Sequence, residues 1–117
     1  MITGLNLEET VDYSLKEDTD NPTVFKIGII PSYLFAKISS EAKQGEIETA
    51  FKILQIAIKG WENFNIPFAK EKQMIFGREM DVVPLSLLES IPLKAISELS
   101  VKVMEINQLT DDERKNL

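Results

Sequence analysis

The chain has 117 residues, of which 44% are hydrophobic and 27% are charged, and these values predict one soluble globular domain with a single core. The sequence contains no cysteine and no histidine, which excludes disulfides, thiolate zinc sites, cysteine nucleophiles and histidine-based catalytic triads. No apolar run approaches the roughly 20 residues of a membrane helix, and the N-terminus lacks the pattern of a signal peptide, so we expect no membrane partner.

The net charge of −6 is concentrated at the start of the chain. Residues 1–20 carry six acidic residues against Lys16 alone, whereas residues 21–110 balance to zero and the last seven residues carry −1. We name residues 1–20 the acidic N-terminal segment. Binding to nucleic acid through phosphates requires a basic face, which an evenly mixed body does not offer. We therefore expect no nucleic-acid partner.

The first predicted elements are two strands. Residues 5–15 alternate weakly, with their apolar side chains on one parity, and predict a half-exposed strand. Residues 16–22 have the composition of a turn, and Pro22 disfavours helix at the residue before it. Residues 23–30 are rich in β-branched and aromatic residues and predict a second strand. Together these segments predict an N-terminal β-hairpin.

Helical patterns begin after this hairpin. Residues 33–44 predict a short helix with Ser32 as its N-cap. The strongest helical pattern covers residues 47–59, where apolar residues recur at intervals of three and four. Gly60 is the predicted left-handed end of this helix, and Lys59 has a charge that suits its C-terminus. The short connection predicts a helical hairpin.

The next part of the chain is predicted to be mostly irregular. The segment after Trp61 lacks a sustained helical period and predicts a loop with extended pieces at residues 66–68 and 74–76. Pro84 and Pro92 each open a further helix.

Residues 110–117 predict either a short terminal helix or a frayed tail.

Taken together, the elements predict one α+β domain over residues 1–117. In it the N-terminal β-hairpin packs on a small helical bundle of three to five helices.

Four large aromatic residues fall within sixteen positions of the mostly irregular segment that begins at Trp61: Trp61, Phe64, Phe68 and Phe76. Two interpretations are open. The rings either plug the core beneath a loop, which is the more common arrangement, or form an exposed patch that binds a partner. We take all four as partner-binding candidates.

Carboxylates offer little further chemistry. Glu62 lies beside Trp61, whose apolar ring could raise the pKa of the carboxyl group and make it a catalytic acid. No sequence spacing places a second carboxylate near it as a partner. We therefore predict that the Glu62 side chain is solvated. Glu79 and Asp81 lack the ligand-rich spacing of a calcium loop and predict a charged hairpin tip. No phosphate-binding glycine motif occurs. We therefore predict no catalytic, cofactor-binding or metal-binding residues, and a protein that is not an enzyme.

Three segments in order carry a family resemblance: NPTVFKIGII at residues 21–30, IKGWENF at residues 58–64, and SLLESIPLKAISELSVKVMEINQLTDDERKN at residues 86–116. The first resembles an acidic turn followed by a P-T-hydrophobic-F strand, and the second resembles a glycine, tryptophan and Glu-Asn-Phe segment after a long helix. The third resembles a closing helix with an N-x-L-T-x-x-E-R-K-N tail. Together they are similar to a family of small tailed-bacteriophage and prophage morphogenesis proteins.

The resemblance implies a non-enzymatic assembly protein, in particular a tail assembly chaperone that binds tape-measure or tail-tube proteins and leaves before the particle is complete. It also implies phage structural proteins as partners and a location in the cytoplasm of the bacterial host or in the virion. We further expect self-association, which is a common default for soluble proteins. One alternative is a minor virion structural protein, such as a connector or tail-completion protein. Another is a small inhibitor of a host protein.

Overall fold

The computed structural model describes residues 1–41, 47–109 and 113. Its first two strands are β1 (Thr10–Tyr13) and β2 (Val24–Gly28), and they pair antiparallel with Tyr13 opposite Phe25. The predicted N-terminal β-hairpin is confirmed, although β1 is shorter than the predicted strand over residues 5–15. The difference arises because the residues before Thr10 are almost all exposed and extend beyond the end of β2.

Two helices follow, α1 (Ser32–Glu41) and α2 (Ile47–Ala57), and residues 42–46, which would connect them, lie outside the described residues. The prediction that α2 continues to Lys59 and stops at Gly60 is wrong. Residues Ile58–Glu62 instead form strand β3, which pairs antiparallel with β2 and places Gly60 opposite Lys26. The chain leaves the helix at Ala57 because β2 presents a second edge whose backbone groups require partners.

The three-stranded sheet therefore has the order β1-β2-β3. A second sheet is the hairpin of β4 (Glu71–Ile75) and β5 (Arg78–Val82), which sequence patterns predict only in part. The predicted extended piece at residues 74–76 overlaps β4, whereas residues 66–68 form no strand. The two residues between the strands, Phe76 and Gly77, have φ angles of 47° and 80°.

The last helices are α3 (Leu85–Leu88) and α4 (Leu93–Gln108), in agreement with helices that open after Pro84 and Pro92. One face of α4 is buried and packs against α2; its buried residues are Ala95, Ile96, Leu99, Val103 and Ile106. Apart from Glu113, the predicted tail at residues 110–117 lies outside the described residues. The observed fold is the predicted α+β class, and the described residues form an N-terminal hairpin and four helices.

Two polar side chains connect the helices to the strands. Asn107 on α4 accepts a hydrogen bond from the Ile30 main-chain N–H at 2.7 Å and donates to the Gly28 carbonyl at 3.4 Å, just beyond and at the end of β2. The side-chain amide of Gln55 on α2 donates to the Val83 carbonyl at 3.0 Å, and the main-chain carbonyl of Gln55 accepts a hydrogen bond from the Val83 N–H.

In the described part of the chain, no helix combines the length and the apolar character of a membrane span.

Candidate functional site

Three of the four predicted aromatic residues, Trp61, Phe64 and Phe68, form a cluster with Phe25. We name these four residues the aromatic cluster. Trp61 lies at the centre, with ring centroids 4.9 Å from Phe68, 5.3 Å from Phe64 and 6.1 Å from Phe25. All three pairs meet edge to face, the geometry that the charge distribution of aromatic rings favours. Phe25 is buried and the other three rings are partly buried against the core.

Local hydrogen bonds hold the aromatic cluster in place. The Trp61 indole N–H donates to the Ile66 carbonyl at 2.6 Å, which folds the following loop back over the ring. Asn63 has a positive φ of 57°, and its side-chain amide donates to the Pro22 carbonyl at 3.2 Å. The Thr23 hydroxyl donates to the Asn63 carbonyl at 2.8 Å. Trp61, Phe64 and Phe68 therefore contribute to packing beneath a loop, the first of the two arrangements that the sequence left open.

Phe76 lies apart from the aromatic cluster, at the tip of the β4–β5 hairpin. The residue is 37% exposed, and its ring faces two ammonium groups, Lys52 Nζ of α2 at 5.4 Å and Lys37 Nζ of α1 at 5.9 Å. Cations above an aromatic face at these distances are attracted to it. The hairpin tip thus lies beside a lysine side chain from each of the two helices.

We name this region the hairpin-tip surface and define it by five residues: Tyr33, Lys37, Lys52, Met74 and Phe76. Tyr33 precedes Lys37 by one helical turn, so the two residues share a face of α1. Tyr33 is 68% exposed and Met74 is 66% exposed. The surface combines large apolar side chains with two positive charges, in a chain whose net charge is −6.

The backbone at Phe76 is unusual for its residue type. A bulky side chain at positive φ is strained, and two-residue hairpin turns with two positive φ angles favour Asn or Asp followed by Gly. Gly77 satisfies the second position, but Phe76 occupies the first at a φ of 47°. The turn therefore carries a local cost that an asparagine would not.

A polar groove of about 540 Å³ lies between the residues before β1 and the β4–β5 hairpin. We name it the polar groove. Three of its lining residues are basic, Lys59, Lys70 and Arg78, and four are acidic, Glu8, Glu9, Glu79 and Asp81. Leu7, Thr10 and Met80 complete the lining.

Lys59 on β3 is anchored at one side of this groove. A Cβ atom at Gly28 would lie 2.7 Å from both Cγ and Cε of Lys59, so the lysine stem passes directly over the glycine. Partial burial lowers the pKa of Lys59 and the positive charge of Lys70 lowers it further, while Asp81 and Glu8 raise it. The absence of a side chain at Gly28 leaves the space that the Lys59 stem occupies.

The carboxylates that the sequence raised as acids or ligands have ordinary surroundings. Glu62 is exposed at the end of β3, 3.6 Å from Lys26. Glu79 and Asp81 lie on β5 rather than at the hairpin tip, and both pair with Lys72 of β4, at 3.5 and 3.1 Å. Within residues 1–41, 47–109 and 113, no group of three or more carboxylates is placed to hold a metal ion.

Comparison of the chain with protein-family models, with curated proteins and with solved structures gave no match. Its candidate sites therefore depend on the geometry of its own residues. The geometry unites Trp61, Phe64 and Phe68, separates Phe76 from them, and adds the polar groove. No sequence pattern signals that groove, because its basic residues come from separate parts of the chain.

Proposed function

We propose that this protein is a non-enzymatic phage or prophage assembly protein, a tail assembly chaperone that binds tape-measure or tail-tube proteins through its hairpin-tip surface. Two kinds of observation support the proposal. The first is the resemblance of three ordered segments to phage morphogenesis proteins. The second is the position of Phe76, which carries the argument for the surface.

Phe76 combines two features that folding alone does not favour. Its backbone is strained at positive φ, and the residue stays more than a third exposed. Strained positions persist where the surrounding structure supports them, and they are concentrated at functional sites. A ring presented to a partner accounts for both features, because contact with the partner would bury the remaining apolar surface.

The neighbouring side chains suit a protein partner. Aromatic residues and methionine are enriched at protein interfaces, and Met74 is flexible enough to fit surfaces of different shape. Tyr33 adds a second exposed aromatic ring with a polar end. The aromatic cluster has a supporting role in this proposal, since it holds the irregular segment that leads into β4.

The proposed setting is the cytoplasm of a bacterial host, where the chaperone acts with other phage proteins. Self-association is part of the proposal, because most soluble oligomers are symmetric homo-oligomers.

Co-expression with the tape-measure and tail-tube proteins of the same phage tests the proposal. We expect the tagged wild-type chain to retain one of them through affinity purification, and F76N to lose at least tenfold of the retained protein. V101N is the matched control, because Val101 is 67% exposed on α4, outside the hairpin-tip surface. Equal retention by wild type and F76N would exclude the hairpin-tip surface, and no retention of either protein would contradict the chaperone function.

A further inference from the structure

The hairpin-tip surface includes a methionine that is open to solvent. The sequence has four methionines, Met1, Met74, Met80 and Met104. Met74 is 66% exposed on β4, whereas Met80 and Met104 are partly buried and pack against the core. Met1 is also exposed, but it belongs to the acidic N-terminal segment. Met74 is therefore both accessible and part of the hairpin-tip surface.

The position of Met74 on its strand explains this exposure. Successive side chains of a strand point to opposite faces, and Gln73 and Ile75 are half-buried while Met74 is exposed. The residue opposite Met74 on β5 is Glu79, which is itself exposed and lies 3.5 Å from Lys72. The hairpin thus presents the Met74 side chain to solvent.

An accessible thioether reacts with hydroperoxides. A lone pair on the sulfur attacks one oxygen of hydrogen peroxide, the O–O bond breaks, and an S–O bond forms. The other oxygen leaves with both protons as water, so the sulfur is oxidised and the peroxide is reduced. The product is methionine sulfoxide, in which a flexible apolar side chain has become polar.

The location of Met74 gives this reaction a consequence for binding. Met74 and Phe76 are two residues apart, at most about 7 Å along the chain, so a partner that covers the Phe76 ring also reaches Met74. A sulfoxide oxygen in that contact would lose its water and would need a hydrogen-bond donor from the partner. The fold itself is little affected, because Met74 is exposed.

We propose that Met74 is an oxidation site, and that its conversion to the sulfoxide by a hydroperoxide weakens the binding of a partner protein to the hairpin-tip surface. The effect on binding rests on the proposed function, whereas the selectivity for Met74 rests on exposure alone. Methionine sulfoxide is reduced back to methionine by dedicated reductases, so the modification is reversible.

Peptide mapping by mass spectrometry tests the selectivity without any partner. The purified full chain is treated with hydrogen peroxide for increasing times, and the reaction is stopped with free methionine. We expect one oxygen atom to be added at Met74 faster than at Met80 or Met104, and the three rates to converge in urea, where the core is open. A rate at Met74 no faster than at both other residues in the folded chain would overturn the proposal.

Retention of the tape-measure or tail-tube protein by the tagged chain tests the effect on binding. Peroxide treatment of the wild-type chain should reduce retention about tenfold, the effect of one buried acceptor without a partner. M74L should retain the same protein before and after treatment, because leucine keeps an apolar side chain of similar volume and is not oxidised. M104L is the matched control and should lose retention on treatment, as wild type does.

The outcomes separate this inference from the proposed function. Retention by the untreated chain that treatment leaves unchanged would overturn the inference and leave the proposed function intact. An equal loss in wild type and M74L would also overturn it, since another residue would then be the sensitive one. No retention by the untreated chain would contradict the proposed function and, with it, the effect of Met74 oxidation on binding.

Discussion

Tyr13 and Glu98, 85 positions apart in the chain, meet through a hydrogen bond of 2.5 Å from the phenol hydroxyl to the carboxylate. The same carboxylate oxygen accepts the Lys16 main-chain N–H at 2.9 Å. The contact joins β1 and the turn that follows it to the middle of α4. It therefore fixes the N-terminal hairpin on the helical bundle.

Removal of the Tyr13 hydroxyl should destabilise the protein. We expect Y13F to lower the free energy of unfolding by about 0.5–1.5 kcal/mol at pH 7, because the ring stays and a single hydrogen bond is lost. Urea denaturation followed by circular dichroism measures this change. Y33F is the control, since Tyr33 is exposed and its hydroxyl makes no hydrogen bond within the described residues. An equal loss in both variants would argue against a role for the Tyr13–Glu98 contact.

The same pair predicts a pH dependence at acid pH. The hydrogen bond from Tyr13, and then that from Lys16, lowers the pKa of Glu98 in the folded state. Its stabilising contribution is present above the ordinary pKa of a glutamate and is lost as the pH falls through the lowered value. The melting temperatures of wild type and Y13F should therefore differ at neutral pH and converge as the pH falls below the carboxylate range. A constant difference across that range would contradict this assignment.

At alkaline pH the phenol itself contributes. Burial, and then the hydrogen bond with Glu98, raises the pKa of Tyr13 to about 12. The folded state favours the neutral phenol, so this stabilisation is complete below the ordinary value of 10.0 and is lost as the pH rises towards 12. Ultraviolet titration should show a tyrosine that ionises late in wild type and is missing in Y13F. A single late-ionising tyrosine that persists in Y13F would show that the assignment is wrong.

Gly28 and Gly60 provide a matched pair for testing the space beneath Lys59. In G28A the new methyl group would meet the Lys59 stem at 2.7 Å and the Ala57 carbonyl oxygen at 3.3 Å, so we expect a loss of about 1–3 kcal/mol in unfolding free energy. In G60A the nearest atom is the Lys26 Cδ at 3.8 Å, an ordinary contact, and the loss should be smaller.

A double-mutant cycle with K59A locates the cause of that loss. Removal of the lysine stem should restore part of the stability of G28A, because the flexible side chain then no longer occupies the space. Thermal denaturation of the four proteins gives the coupling energy. Strict additivity of the two changes would mean that Lys59 does not limit the residue at Gly28.

Trp61 should be a major contributor to stability. We expect W61A to lower the unfolding free energy by about 3 kcal/mol, near the lower end for loss of a tryptophan, because the ring is only partly buried. W61F should fall between W61A and wild type, since it keeps an aromatic ring and loses the bond to the Ile66 carbonyl. Far-ultraviolet circular dichroism in urea measures both. An unchanged midpoint for W61A would place the ring outside the packed cluster.

Stability and binding should separate at Phe76. F76N relieves the strain at positive φ and creates the Asn-Gly sequence that this turn favours, but it removes two cation–π contacts of about 0.5–1 kcal/mol each. The opposing effects should leave the unfolding free energy within about 1 kcal/mol of wild type. A loss several times larger would identify Phe76 as a core residue and would contradict its assignment to a binding surface.

The elements that the sequence predicted well are those with local signals. Helix α4 has a long apolar period that starts after Pro92, and β2 has a dense β-branched and aromatic composition. Strand β3 was missed because Ile58 continues the apolar pattern of α2, and only pairing with β2 shows that the chain has left the helix. That pairing is a long-range contact and has no local signature.

The candidate site was predictable to a similar degree. Trp61, Phe64 and Phe68 could be selected from their density along the chain, but their edge-to-face packing depends on Phe25, which lies in a distant strand. Phe76 could be selected but not separated from the others, because Phe-Gly is not a usual hairpin turn. The groove around Lys59 has no sequence signal, since the sequence pattern places Lys59 at the end of a helix.

The proposed function requires that a phage or prophage encodes this chain. Mass spectrometry of purified, intact particles from that phage or induced prophage tests the central claim most directly, with the cell lysate as control. The account predicts that the polypeptide is abundant in the lysate and absent from the particles, as expected for a chaperone that leaves before assembly is complete. A fixed copy number in the particles would contradict the chaperone function and would identify the protein as a structural component of the virion.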